Sequence, residues 1–69
     1  MQKYLVVFER AGEKYTAYVP DIPGCFAAGA TVSEVENNIH KAIRHRIQSI
    51  VQKGEPLPEG AAFSGYIEI

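Results

Sequence analysis

The chain has 69 residues, a formal net charge of −1 at pH 7 from seven Lys and Arg against eight Asp and Glu, and a single cysteine. That length gives one domain, residues 1–69, and buries only about 60% of the unfolded surface, and the lone cysteine excludes an internal disulfide, so stability calls for association with another chain. The charge balance excludes the basic excess of a chain whose main ligand is nucleic acid. The four-residue apolar run Leu5–Phe8 is too short for a secretory h-region or a membrane span, and a free cysteine without a secretion signal suits a reducing cytoplasm.

KYLVVFE (3–9) is aromatic and β-branched and reads as a first strand, with Tyr4, Val6 and Phe8 on one face and Leu5 and Val7 on the other. A tight turn over 10–13 leads into a returning strand, KYTAYV (14–19), with Tyr15, Ala17 and Val19 opposite Thr16 and Tyr18. Pro20 ends that strand because it has no N–H for the ladder. Asp21 suits an Asx-turn, and Pro23-Gly24 fits the centre of a type II turn. CFAAGA (25–30) reads as a short third strand.

A helix follows, with Thr31 as N-cap and overlapping capping boxes at 31–34 and 33–36. It runs to Lys53, with Gly54 as the residue that closes it. Val32, Val35, Ile39, Ala42, Ile43, Ile47 and Ile50 form its apolar stripe. EPLPEG (55–60) is an extended linker, and FSGYIEI (63–69) alternates as a last strand. The expected fold is α+β in the order β-β-β-α-β. The helical crossover makes the last two strands parallel with a right-handed connection, in a mixed four-stranded sheet of order 3-2-1-4 with one helix on one face.

An enzymatic reading of PDIPGC (20–25) needs a base beside Cys25 and a group to orient it. At ~100° per residue, His40 and His45 lie about 100° and 240° from Ile39, so neither faces the sheet squarely. Cys25, His40 and His45 match no standard zinc spacing, and no cofactor motif is present. The glutamates are scattered and Asp21 is the sole Asp, which does not build a metal-dependent nuclease site. Pro20, Asp21, Pro23 and Gly24 therefore read as a structural loop and the chain as non-enzymatic. A residual enzyme using Asp21, Glu68 or Cys25 is the contrary reading.

Two surfaces stand out. One helix covers one sheet face, and Leu5, Val7, Tyr18 and Tyr66 fall on the other, where an apolar patch marks a partner or dimer interface. The competing reading leaves the tyrosines partly exposed and the linker shielding the rest. Arg46 falls within the apolar stripe. Its stem can pack while its guanidinium snorkels, or it can make an interface ion pair.

YTAYVPDIPGC (15–25), the small-residue strand with Gly29, TVSEVENNIHKAI (31–43) and GEPLPE (54–59) resemble the N-terminal domain of the HicB-like antitoxins. The resemblance covers nearly the whole chain and is most specific at Tyr18-Val19-Pro20-Asp21-Ile22-Pro23-Gly24-Cys25. It implies a truncated RNase H-like fold without that fold's catalytic carboxylates, and dimers or larger assemblies. It also implies a role in masking a HicA-type toxin, a small ribonuclease that cleaves messenger RNA. Many members carry a C-terminal DNA-binding segment. The sequence stops at Ile69 without one, so direct DNA binding is not expected of it. The alternative function is a solitary HicB-like scaffold or regulatory domain with a different partner.

Overall fold

A computed structural model describes residues 2–69. The elements are β1 (Val7–Ala11), β2 (Lys14–Tyr18), β3 (Phe26–Gly29) and α1 (Val32–Gln52). The strands form one antiparallel sheet in the order β1-β2-β3. The α+β class and the 3-2-1 part of the expected order are thus observed.

The hairpin closes tightly because Ala11 pairs with Lys14, leaving Gly12-Glu13 as a two-residue loop. Gly12 has φ 66° and Glu13 does not take positive φ, the pattern of a type II′ turn whose twist matches the flanking strands. β1 begins at Val7 rather than at residue 3. Val7 opposes Tyr18, and the chain beyond Tyr18 turns away through Val19 and Pro20, so residues 3–6 have no ladder to join.

Two consecutive turns then carry the chain into β3. Ile22 N–H donates to the Val19 carbonyl and Cys25 N–H to the Ile22 carbonyl, each at 3.1 Å, and Val19 N–H reaches back to the Cys25 carbonyl at 3.1 Å. Gly24 has φ 79°, which the third position of a type II turn requires, and Pro23 presets the position before it.

α1 is defined at both ends by its own sequence. Thr31 is extended (φ −132°, ψ 163°) and its Oγ1 accepts from Glu34 N–H at 3.1 Å. At the other end Gly54 has φ 72°, its N–H donates to the Val51 carbonyl, and Glu55 N–H donates to that of Ile50, a Schellman closure. The last turn holds no basic residue; Lys53 is the C-cap itself.

The buried core is Ala17, Val19, Ile22, Cys25, Val35 and Ile39. α1 packs on β3 and β2 and does not reach packing distance of β1. Its approach to β3 is close: a Cβ on Gly29 would stand 2.7 Å from Val35 N and 3.0 Å from Val35 Cα. Asn38 Nδ2 donates to the Ala28 carbonyl at 2.8 Å and ties the helix to that edge strand. Of the expected stripe, Val35 and Ile39 are fully inside, Ala42, Ile43, Ile47 and Ile50 are half-buried, and Val32 is exposed.

The expected fourth strand is not formed. Residues 63–69 carry no regular structure, and Phe63, Tyr66, Ile67 and Ile69 are almost wholly exposed. The linker before them is anchored at the start of the chain: Tyr4 Oη donates to the Pro58 carbonyl at 2.7 Å, and Ala62 N–H donates to Asp21 Oδ2 at 2.9 Å. Alternation makes 63–69 competent to be a strand, but a strand exists only when another edge pairs with its N–H and C=O groups. Beyond Ala62 the segment lies against no edge.

Candidate functional site

The proline-rich loop is a joint. Pro20 and Asp21 are the central residues of the first turn, and Pro23 and Gly24 those of the second. Asp21 makes a long-range bond to Ala62 instead of the expected Asx-turn, linking the loop to the linker 41 positions later. Arg46 neither snorkels free nor pairs with a carboxylate. Its Nη2 donates to the Pro23 carbonyl at 2.9 Å, and its guanidinium lies over Gly24. The positively charged donor suits an otherwise unpaired turn carbonyl.

Cys25 is 5% exposed within this joint. Burial pushes its thiol above the ordinary value, and the charge of Arg46 draws it only partly back. A thiol held neutral in a closed core is a poor nucleophile. His40 and His45 are exposed on the helix, Asp21 is engaged with Ala62, and Glu68 lies in the unpaired tail. The structure does not bring these groups together. Among the described residues no three His, Cys, Asp or Glu side chains converge as a metal site, and no helix is long and apolar enough to cross a membrane.

The sheet face away from α1 is built by register. Val7 opposes Tyr18 and Tyr18 opposes Phe26, so these three side chains form one row across the sheet on the face opposite Ala17. Val7 is half-buried, Tyr18 is 43% exposed and Phe26 is 73% exposed. Leu5 is half-buried just before β1, at the position whose parity matches Val7. Tyr66 does not join the row, since its segment leaves the sheet. Phe26 is the member that sequence reasoning missed. Its pairing with Tyr18 depends on the register of β3, which the small residues around it do not fix.

A second open surface runs between β1 and the helix. Val6, Phe8, Ile39, His40 and Ile43 line a groove of about 480 Å³, and Ile43, Arg44, Ile47 and Val51 line a neighbouring one of about 430 Å³. They share Ile43, so the two grooves run on from the edge strand to the last turn of α1, with Val6, Phe8, Ile43, Ile47 and Val51 bordered by the polar Ser33, Glu36, Asn37, His40, Arg44 and Gln48. They exist because one helix, seated over β2 and β3, leaves β1 uncovered on that side.

These features define a small α+β domain of exposed sheet surfaces, built like the N-terminal domain of an antitoxin. That domain of the Burkholderia pseudomallei antitoxin HicB matches with a TM-score of 0.73 at 25% identity, over 84% of this chain and 69% of that one. A chain of the HicA3 and HicB3 toxin-antitoxin complex matches with a TM-score of 0.66 at 34% identity, over 80% of this chain and 64% of that one. Residues 4–68 match the family model of the HicB-like antitoxin of bacterial toxin-antitoxin systems. The chain belongs to the HicB-like antitoxin family.

Among curated relatives, a 14.9 kDa protein from the rep-hol intergenic region of Haemophilus phage HP1 is 38% identical over 64 residues, 93% of this chain. This chain spans 48% of that protein's length. A UPF0150 protein of Thermoplasma acidophilum is also 38% identical, over 87% of this chain and 88% of its own length.

Proposed function

We propose that this chain is an antitoxin module that binds a HicA-type ribonuclease toxin and neutralises it by covering its working surface. The observation that carries this reading is the family match over residues 4–68, joined to the likeness to a chain of the HicA3–HicB3 complex. The site of contact in this reading is the outer face of the sheet, with Leu5, Val7, Tyr18 and Phe26 as its apolar centre. Exposed aromatic groups flanked by polar ones are the usual anchors of a protein interface. The domain does no chemistry: it works by occupancy, in the cytoplasm where messenger RNA is cut, as a dimer or larger assembly, with a degenerate RNase H-like frame.

The test is co-expression with a HicA-type toxin from the same genome. Restored growth and co-purification of the two chains support the reading, and growth arrest with no complex overturns it. A second reading is favoured by the match over 88% of the Thermoplasma UPF0150 protein, whose length is close to that of this domain. In it, the domain is an oligomeric scaffold or regulator with a different partner, and the same experiment assigns the chain to it when no toxin is bound.

A further inference from the structure

The net charge of −1 conceals a segregation of charge along the chain. Residues 37–54 hold Lys41, Arg44, Arg46 and Lys53 and no acid, a charge of +4. The remainder holds three Lys and Arg against all eight acids, a charge of −5. A cationic partner is therefore repelled from the outward side of α1 and is turned toward the opposite side of the molecule, the outer face of the sheet. One step along the strands from the row Val7–Tyr18–Phe26, the register sets Glu9 opposite Thr16 and Thr16 opposite Ala28. Side chains two positions apart on a strand share a face, about 7 Å from one another at ~3.3 Å per residue. Two aromatic rings thus stand beside a low floor of Thr16 and Ala28, with the exposed Glu9 at its β1 end.

We propose that this slot seats an arginine side chain of the partner protein. Its stem lies over Thr16 and Ala28 along the Tyr18 and Phe26 rings, and its guanidinium pairs with the Glu9 carboxylate. The proposal rests on the reading that the outer face is the toxin contact, and it names the chemistry recognised there.

Three observations select an arginine. Among the described residues Glu9 takes part in no side-chain hydrogen bond, so its carboxylate is open to a donor from outside. Lys14 is the other charged residue that the strands place on this face. It lines a separate hollow with Ala28, Gly29, Ala30 and Glu34, which directs its charge to the helix start rather than to Glu9. Tyr18 is the diagonal neighbour of Glu9, within reach of one long side chain that touches both. A flat guanidinium stacks on an aromatic ring and forks onto a carboxylate, which the compact ammonium of lysine does not. A protein that grips RNA lines the contact with cations. An arginine drawn from that lining into the slot is no longer available to RNA, so the domain competes for charge as well as covering surface.

The test has two arms. In the first, capture of the HicA-type toxin of the same genome is titrated from low to high salt. Glu9→Gln keeps the shape of the side chain and removes its charge, so capture should weaken at least tenfold at low salt, with the difference from wild type narrowing as salt rises. Ala28→Leu raises the floor of the slot at an exposed position and should weaken capture to a similar extent at every salt concentration. Glu13→Gln, at the hairpin tip outside the slot, should capture as the wild type does. In the second arm, NMR follows the wild type during titration with a blocked Gly-Arg-Gly peptide and with its citrulline counterpart. Shifts centred on Glu9, Thr16 and Tyr18 are expected from the arginine peptide alone. Capture that is indifferent to Glu9→Gln overturns the proposal and leaves the toxin reading standing. Arginine and citrulline peptides that act alike overturn it too. A wild type that captures no toxin yet shows the arginine-specific shifts keeps the slot and removes the toxin reading.

Discussion

Gly29 shows how one missing atom sets the spacing of the whole domain. The first turn of α1 lies so close to β3 that a methyl group there would press on the Val35 backbone at 2.7 Å. Backbone cannot rotate aside as a side chain can. Gly29→Ala should therefore lift the helix from the sheet and cost about 1–3 kcal/mol, the usual range for overpacking, read as a lowered melting temperature. Gly65→Ala is the control: nothing lies within 4 Å, and no change is expected. Cys25 gives a pH signature. Its thiol is raised in the folded chain from an ordinary value of 9.0, so above that pH the unfolded chain loses its proton first and stability falls as pH rises. The melting temperature of the wild type should drop more steeply above pH 9.0 than that of Cys25→Ala, while the two respond alike to pH near neutrality.

Among the elements, α1 is the most self-contained and the linker the least. The helix has Thr31 at one end and the Gly54 closure at the other, and both are local bonds that form wherever the helix forms. The linker depends on two bonds to distant residues, one from Tyr4 and one to Asp21. A hydrogen bond accepted by a carboxylate contributes on the order of 1–2 kcal/mol when partly sheltered. Asp21→Ala should therefore release residues 58–62 to faster amide exchange and proteolysis, with only a slight fall in the melting temperature of the helix and sheet. Asp21→Asn, which keeps an acceptor oxygen, should restore part of the protection. An Asx-turn confined to the loop would leave the exchange of Ala62 unchanged in both variants.

At the scale of the whole molecule, the single helix leaves the outer face and the β1 groove open, and the outer face carries the prediction. Tyr18→Glu or Phe26→Glu places a charge on the outer face without entering the core. Either should weaken capture of a HicA-type toxin at least tenfold, about 1.4 kcal/mol, with the circular dichroism spectrum unchanged. Equal capture by wild type and variants in a pull-down titration would remove that face from the interface. Much of the domain was legible in the residues alone. The hairpin, the Pro23-Gly24 turn, the Thr31 cap, the Gly54 closure and the helix between them rest on bonds a few positions apart, so local pattern determined them. The partners of Asp21 and Arg46, the place of Phe26 beside Tyr18, and the fate of 63–69 were decided only by tertiary structure. Each depends on what arrives from a distant part of the chain. Alternation tells which side of a strand is apolar, but an unpaired strand has no preferred edge until the fold presents one.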